Sequence, residues 1–519
     1  MNEICGILRK NYSLKIINTE SLLKSSDEIN RLAAPFLGGD DPLFGKKCTL
    51  RLRDFFTPGA LLKAVPDENA DISIIAGPGA ALAEWPGILI YIDIPKNEIQ
   101  YRSRAGTIGN FGLLPGSGPA ETYKRFYFVD WVVMNNHKRE ILAEIDLYAD
   151  GQRPDLPVFI NGEDLRRSAA EISCSPFRAR PWFEPGAWGG KWMIKNIPGI
   201  NKDVPNYAWS FELISPENGI IIESSSLMLE IPFDVLMSLE AKNILGSCHP
   251  AYGYEFPIRF DFLDTFSGGN LSLQCHPQPE YIKENFGESL AQEEAYYILD
   301  NAEESSVYLG FRDDIDPREF REALEKSEAT GAEIDPEEFI LKHSSKKHDV
   351  FLIPCGTIHG SGKNNLVLEI STTPYIFTFK MYDWVRKDLN GRLRILNIKR
   401  GMDNLCFDRK GNYAKEHLIP EPVLIERGND WRLFDIPTHP THSYRIHRYH
   451  FETNIELNTD NRCLVMSLTG GESIMIESAN GRKAVFSFAE TFIIPAAAGN
   501  IRISNNSPGE AILTMAFIK

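Results

Sequence analysis

A chain of 519 residues is too long for one hydrophobic core and predicts several domains. Its 71 acidic side chains outnumber the 55 basic ones, and a net charge of −16 argues against a general binder of nucleic acid or anionic membrane. No run of about 18 apolar residues predicts a membrane span, and the eight cysteines, scattered without a Cys-x-x-Cys pair, read as reduced thiols of a cytoplasmic protein.

The first residues, Met1-Asn2-Glu3-Ile4-Cys5, carry no basic region ahead of a long apolar run, so no signal peptide is read. Residues 1–45 predict a strand and a helix that close in the turn-rich Gly38-Gly39-Asp40-Asp41-Pro42. Strand-like runs follow at 48–53, 72–76 and 88–94. The last, Ile88-Leu89-Ile90-Tyr91-Ile92-Asp93-Ile94, is apolar enough to be buried on both faces. Tyr127-Phe128-Val129-Asp130-Trp131 reads as another strand, with a helix near 133–145. This alternation predicts an N-terminal α/β or α+β domain over residues 1–170, of unassigned role. Within it, Ile74-Ile75-Ala76-Gly77-Pro78-Gly79-Ala80-Ala81-Leu82 runs from a strand through a glycine turn into a helix. A helix N-terminus can cradle phosphate, but Gly-Lys-Ser/Thr is missing, and a tight turn is the better reading.

From about residue 175 short strands and turns take over. Trp188 in Glu184-Pro185-Gly186-Ala187-Trp188-Gly189-Gly190 and Trp209 in Tyr207-Ala208-Trp209-Ser210-Phe211 read as core or cleft-wall residues. Glu255-Phe256-Pro257-Ile258-Arg259-Phe260-Asp261-Phe262 alternates, which puts Arg259 and Asp261 on one face. In Leu271-Ser272-Leu273-Gln274-Cys275-His276-Pro277 the same alternation sends Ser272, Gln274 and His276 to one side. Gln274 and His276 could offer an oxygen and an imidazole nitrogen to one ion, a mixture suited to zinc, although such a pair alone is more often a surface pair than a ligand pair. The strand Glu294-Ala295-Tyr296-Tyr297-Ile298-Leu299 opens with a carboxylate, and Phe351-Leu352-Ile353-Pro354-Cys355-Gly356-Thr357-Ile358-His359 ends in a turn with a histidine; together these would complete a four-ligand set. Between them, Asp316-Pro317 and Asp335-Pro336 are N-cap and first-turn signals for two short helices. Near the C-terminus, 465–468 and 491–496 read as strands. His439, His442, His447 and His450 read as surface or interface residues, because His447 and His450 would face opposite ways on one strand.

Three of these segments, in order, resemble the L-S-x-Q-x-H-P, E-x-x-Y-I-L and P-x-G-T-x-H motifs of the class I mannose-6-phosphate isomerases, zinc enzymes of the cupin superfamily. The Trp-Gly-Gly segment at Trp188 and the strand at Trp209 are similar to that family's opening. The resemblance covers about residues 175–519 and implies a multidomain, mainly β chain with two cupin (jelly-roll) barrels behind the N-terminal α/β domain. A metal-binding cupin domain would take 175–300 and 346–390, a small helical insertion 301–345, and a C-terminal cupin-like β domain 391–519. Gln274, His276, Glu294 and His359 would hold one zinc or similar divalent ion. The implied reaction interconverts an aldose and a ketose, mannose 6-phosphate and fructose 6-phosphate or a related pair, through a cis-enediol.

The chain departs from the family at three basic positions. The family's arginine in T-Y-R-x-Y-D is Lys380, its lysine two residues before the ligand glutamate is Gln292, and its lysine in F-P-x-x-x-K is Asp261. Lys380 and Glu294 are therefore the candidate catalytic residues, and Ser272, Arg259, Gln292 and Asp261 the candidate substrate contacts. The expected partner is a small sugar or sugar phosphate, with neither nucleic acid nor membrane, and a homodimer is compatible with the reading. The competing reading is a non-catalytic sugar-binding or regulatory protein in which the metal is a strut.

Overall fold

The computed structural model describes residues 2–113, 118–372, 377–387 and 391–519. The chain divides into two units, one of Met1–Arg167, Ile222–Ile231 and Asn285–Glu288, the other of Ser168–Ile221, Pro232–Glu284 and Ser289–Lys519.

In the first unit, strands β1 (Leu14–Asn18) and β2 (Ile72–Ala76) pair in parallel. Strand β3 (Ile90–Asp93) runs parallel to β4 (Leu147–Asp150), which pairs antiparallel with β5 (Val158–Asn161). Four expectations need correction here. Residues 48–53 form no strand, only the start of a 3-10 turn at Leu52–Phe55. Strand β3 is open on one face, with Ile88, Ile90 and Ile92 exposed at 75%, 56% and 69%. Tyr127–Trp131 is helical, a π-turn over Phe126–Asp130 that continues into the helix Trp131–Ile141. All five side chains from Phe126 to Asp130 are buried; a short run without period fits a helix enclosed on every side as well as a strand. The Gly77-Pro78-Gly79 segment is a tight turn into a 3-10 turn at Ala80–Ala83 rather than a helix. The Thr19 hydroxyl holds it, within 3.3 Å of the Ala76 carbonyl and 2.9 Å of the Pro78 carbonyl. Gly77 sits at φ 120°, and a Cβ there would strike that hydroxyl.

The second unit is mainly β. Its early strands are β6 (Trp182–Glu184) and β7 (Trp209–Leu213); the hairpin β8 (Gly219–Ser224) and β9 (Leu227–Pro232) that follows in the chain belongs mostly to the first unit. Then come β10 (Ile258–Asp264), β11 (Leu273–Cys275), β12 (Glu293–Asn301), β13 (Ser306–Phe311), β14 (Ile340–Ser344), β15 (Val350–Ile353), β16 (His359–Ser361), β17 (Asn365–Thr372) and β18 (Phe379–Tyr382). They make a six-stranded sheet, β15-β12-β17-β10-β7-β6, and a five-stranded sheet, β14-β13-β16-β11-β18. Every residue of β10 and β17 is buried, which requires cover on both faces of the sheet.

Between Glu294 and His359 lie one 14-residue helix, Pro317–Thr330, and a 3-10 turn, Pro336–Glu338. Asp316 caps the helix by accepting from the Arg318 N–H at 2.7 Å, and Asp335 does the same for Glu337 at 3.0 Å. The flanking parts of 301–345 are strands β13 and β14.

The C-terminal strands are β19 (Val423–Arg427), β20 (Trp431–Ile436), β21 (Tyr444–Phe451), β22 (Asn454–Asn458), β23 (Leu464–Gly470), β24 (Ser473–Ser478), β25 (Lys483–Ser487), β26 (Thr491–Ile494), β27 (Asn500–Asn505) and β28 (Ala511–Ile518). They form a six-stranded sheet, β19-β20-β21-β28-β23-β26, and a four-stranded one, β22-β27-β24-β25. Met466, Leu468, Ile474, Ile476, Phe486, Phe492 and Leu513 are buried together as their core, each side chain contributing roughly 1.5–3 kcal/mol by leaving water. Among the described residues no helix is long and apolar enough to cross a membrane, and all eight cysteines are free.

Candidate metal centre

Residues paired across an antiparallel ladder share a face of the sheet, so the register assembles the site. In the six-stranded sheet one row reads Glu294–Ser371–Arg259 and the next Tyr296–Glu369–Asp261. In the five-stranded sheet Gln274 lies opposite His359 on one side and Lys380 on the other. The two faces meet where the His276 Nε2 and His359 Nε2 atoms approach the same carboxylate oxygen, Glu294 Oε2, at 2.7 and 3.1 Å. One ligand atom from each of the three lies within 4.8 Å of the others, and all three residues are buried. No other such group of histidine, cysteine or carboxylate side chains occurs among the described residues.

Each ring is aimed from behind. His276 Nδ1 lies 3.0 Å from the Phe377 carbonyl oxygen and His359 Nδ1 lies 2.9 Å from that of Thr357. A carbonyl only accepts, so both Nδ1 atoms carry the proton and both Nε2 lone pairs point at Glu294. Three acceptors brought together in a buried place need a cation between them. A His/Glu/His set with an outer shell of backbone carbonyls fits zinc. The turn that presents His359 is itself clamped: Arg409 Nη1 donates to the carbonyls of Pro354 and Cys355 at 2.8 and 2.6 Å and to Thr357 Oγ1 at 2.5 Å.

Gln274 stands beside the trio, its Nε2 3.3 Å from His359 Nε2 and its Oε1 accepting from the Ser272 hydroxyl at 3.1 Å. Turning the amide over would direct its oxygen inward, a choice that hydrogen-bond geometry alone decides. Burial raises the Glu294 carboxyl, and positive charge at the His276 and His359 Nε2 atoms, carried by protons or by a cation in their place, outweighs it and holds the group well below the ordinary carboxylate range. Burial, with the charge of Arg394, brings Lys380 down to about 8.

Arg259 and Asp261 do share a face, and they share it as a pair: Arg259 Nε lies 2.5 Å from Asp261 Oδ2, with Nη2 on the same oxygen. Gln292 Nε2 donates to Glu369 Oε1 at 3.4 Å. Glu369 and Tyr296 escape the sequence reading, although a lone carboxylate inside Leu366-Val367-Leu368-Glu369-Ile370 was a visible signal. Burial pushes Glu369 well above the ordinary range, the Glu294 charge adding to it.

The C-terminal histidines form no second centre, and two of the four, His439 and His442, are buried rather than at the surface. His442 is 1% exposed and stacks on Tyr444 at 5.1 Å. His439 is buried too. His447 and His450 each face a carboxylate, Asp435 at 3.3 Å and Glu510 at 2.9 Å. The alternation argument separates His447 from His450 correctly, but it says nothing about burial.

Comparison with known proteins gives two results. Residues 1–174 match a family described as a domain of unknown function (DUF8485). The relatives in sequence and in structure are mannose-6-phosphate isomerases. The "Mannose-6-phosphate isomerase" of Streptococcus mutans is 27% identical over 226 residues, 43% of this chain and 66% of that protein. The "Probable mannose-6-phosphate isomerase GmuF" of Bacillus subtilis is 30% identical over 151 residues, 29% of this chain and 44% of that one. The matched stretch thus spans about two thirds or less of these relatives. The crystal structure of the Bacillus subtilis mannose 6-phosphate isomerase superposes with a TM-score of 0.52 at 19% identity, covering 66% of this chain and 100% of that one. A zinc-bound mannose 6-phosphate isomerase gives 0.51 at 14% identity over the same shares. At these identities the superpositions carry the fold.

Proposed function

We propose that this chain, a divergent relative of the class I mannose-6-phosphate isomerases, is a metal-dependent aldose–ketose isomerase. Its four large sheets would close as two cupin barrels, the first holding the metal and the second none. Gln274, His276, Glu294 and His359 would hold a divalent ion, zinc by its donor set, and that ion would supply positive charge where the substrate's oxygens become negative.

The remaining chemistry falls to the chain's own residues. Isomerisation removes a proton from the carbon beside the carbonyl and returns one to its neighbour, by way of a cis-enediol. Lys380 shares its face with Gln274, and with its pKa near 8 it keeps a proton at Nζ at neutral pH for an oxygen that gains charge. Ser272, Arg259, Asp261 and Gln292 would orient the sugar hydroxyls. The observation that supports this reading is the convergence of two anchored imidazoles on one buried carboxylate. Eight free cysteines fit a reducing, cytoplasmic setting.

Complete burial of His276, Glu294 and His359 also favours a second reading, a structural strut in a sugar-binding protein. Metal analysis coupled to turnover of an aldose–ketose panel separates the two. An isomerase interconverts at least one pair and stops with chelator, whereas a strut protein melts earlier with chelator and turns over nothing.

A further inference from the structure

We infer that the sugar taken by this site is unphosphorylated, a neutral hexose recognised by the Arg259–Asp261 pair; this rests on the isomerase reading above. Four buried polar atoms on the Glu294 face have no hydrogen-bond partner among the described residues: Arg259 Nη1, Asp261 Oδ1, Gln292 Oε1 and Tyr296 OH. Their residues are 3%, 0%, 2% and 0% exposed, so water outside does not serve them. Buried polar groups in proteins are nearly always paired; of these four, Arg259, Asp261 and Tyr296 sit in the two adjoining rows of the sheet that hold Glu294 and Glu369, and Gln292 lies two residues before Glu294.

Their chemistry selects the ligand. The set mixes a donor (Nη1), two acceptors (Oδ1 and Oε1) and a hydroxyl that is both. A sugar hydroxyl also donates and accepts, so one can give its proton to Asp261 Oδ1 and take one from Arg259 Nη1. A phosphate dianion has no proton to give and would confront both acceptor oxygens. The positive charge of Arg259 on this face is already engaged, and Lys380 on the facing sheet is the cation assigned to the oxygen that gains charge in the isomerisation. The Arg259 guanidinium is held by Asp261, with Glu369 Oε1 a further 3.8 Å from its Nε. Arg394, whose charge reaches Lys380, and Arg386 are both engaged by Asp383, at 2.6 and 3.1 Å.

The next strands add buried aromatic rings. Phe211 lies opposite Asp261 in the ladder and Trp182 opposite Phe211, their rings 4.2 Å apart. Aromatic rings beside unpaired polar atoms suit a pyranose, which is C–H on its faces and hydroxyl around its rim.

The test uses the zinc-loaded full chain with mannose, mannose 6-phosphate and the matching ketoses as probes. We expect kcat/KM for mannose to exceed that for mannose 6-phosphate at least tenfold. Asp261→Asn, which keeps the shape but removes the carboxylate charge that holds Arg259, should reverse that preference toward the phosphorylated sugar. A wild-type preference for mannose 6-phosphate overturns the inference and leaves the isomerase reading standing. If neither sugar is turned over, the isomerase reading falls and calorimetry decides this one: tighter binding of free mannose supports it, while tighter binding of mannose 6-phosphate, or of neither, overturns it.

Discussion

His359 donates from Nδ1 to the carbonyl oxygen of Thr357, two residues before it in the same turn, at 2.9 Å. The ring is oriented by its own backbone, and its Nε2 faces Glu294 without help from any ligand. Metal binding should therefore depend more on the charge of Glu294 than on local ordering.

Glu294→Gln keeps the size of the side chain and removes its charge. Zinc affinity should fall by more than the roughly 10–100-fold that loss of an outer-shell partner costs. Elemental analysis after dialysis, with competitive zinc titration, measures this. Stoichiometric zinc retained by the variant would remove Glu294 from the ligand set.

Lys380 carries the pH dependence. Because burial and Arg394 bring it to about 8, a role for the protonated amine means that kcat/KM declines as pH rises through about 8. Lys380→Arg should move that limb to higher pH, and Lys380→Met should lower the rate by roughly 10²–10⁴. An alkaline limb that stays in place in Lys380→Arg would assign it to another group.

His442 should make the second unit sensitive to acid. Burial, with His439 and Lys519 adding positive charge, lowers it to about 3 from its ordinary 6.5. Between those values the unfolded chain binds the proton and the folded chain does not, so stability increases with pH across the window and is lost as pH falls through it. His442→Phe should flatten the decline of Tm from pH 6.5 down to about 4. Equal slopes in variant and parent would show that other groups govern acid unfolding.

Phe492 and Phe486 stack at 4.1 Å in the core of the C-terminal strands. Phe492→Ala should cost about 3–5 kcal/mol of that region's stability, read by chemical denaturation, with zinc content unchanged. Loss of zinc in the same variant would tie the C-terminal core to the metal centre.

Much of the site is legible in the sequence because strand alternation is a strict rule. It places Gln274 and His276 together, and Arg259 with Asp261, before any coordinates. What alternation cannot give is which strands become neighbours. Glu369 joins Asp261 and Tyr296 only through the β10-β17-β12 register, and a single carboxylate in an apolar strand does not announce its partners. Phe126–Asp130 misleads for the opposite reason: five buried residues in a row have no period to read. The exposed face of β3 shows that an apolar run reports composition and not cover.

Arg409 grips the turn before His359, reaching Thr357 from 52 positions downstream. A protein cut short before that arginine would keep every proposed ligand in its sequence and still lose the brace behind one of them. Fragment boundaries drawn from the motifs alone would thus yield a chain with the right letters and a slack imidazole.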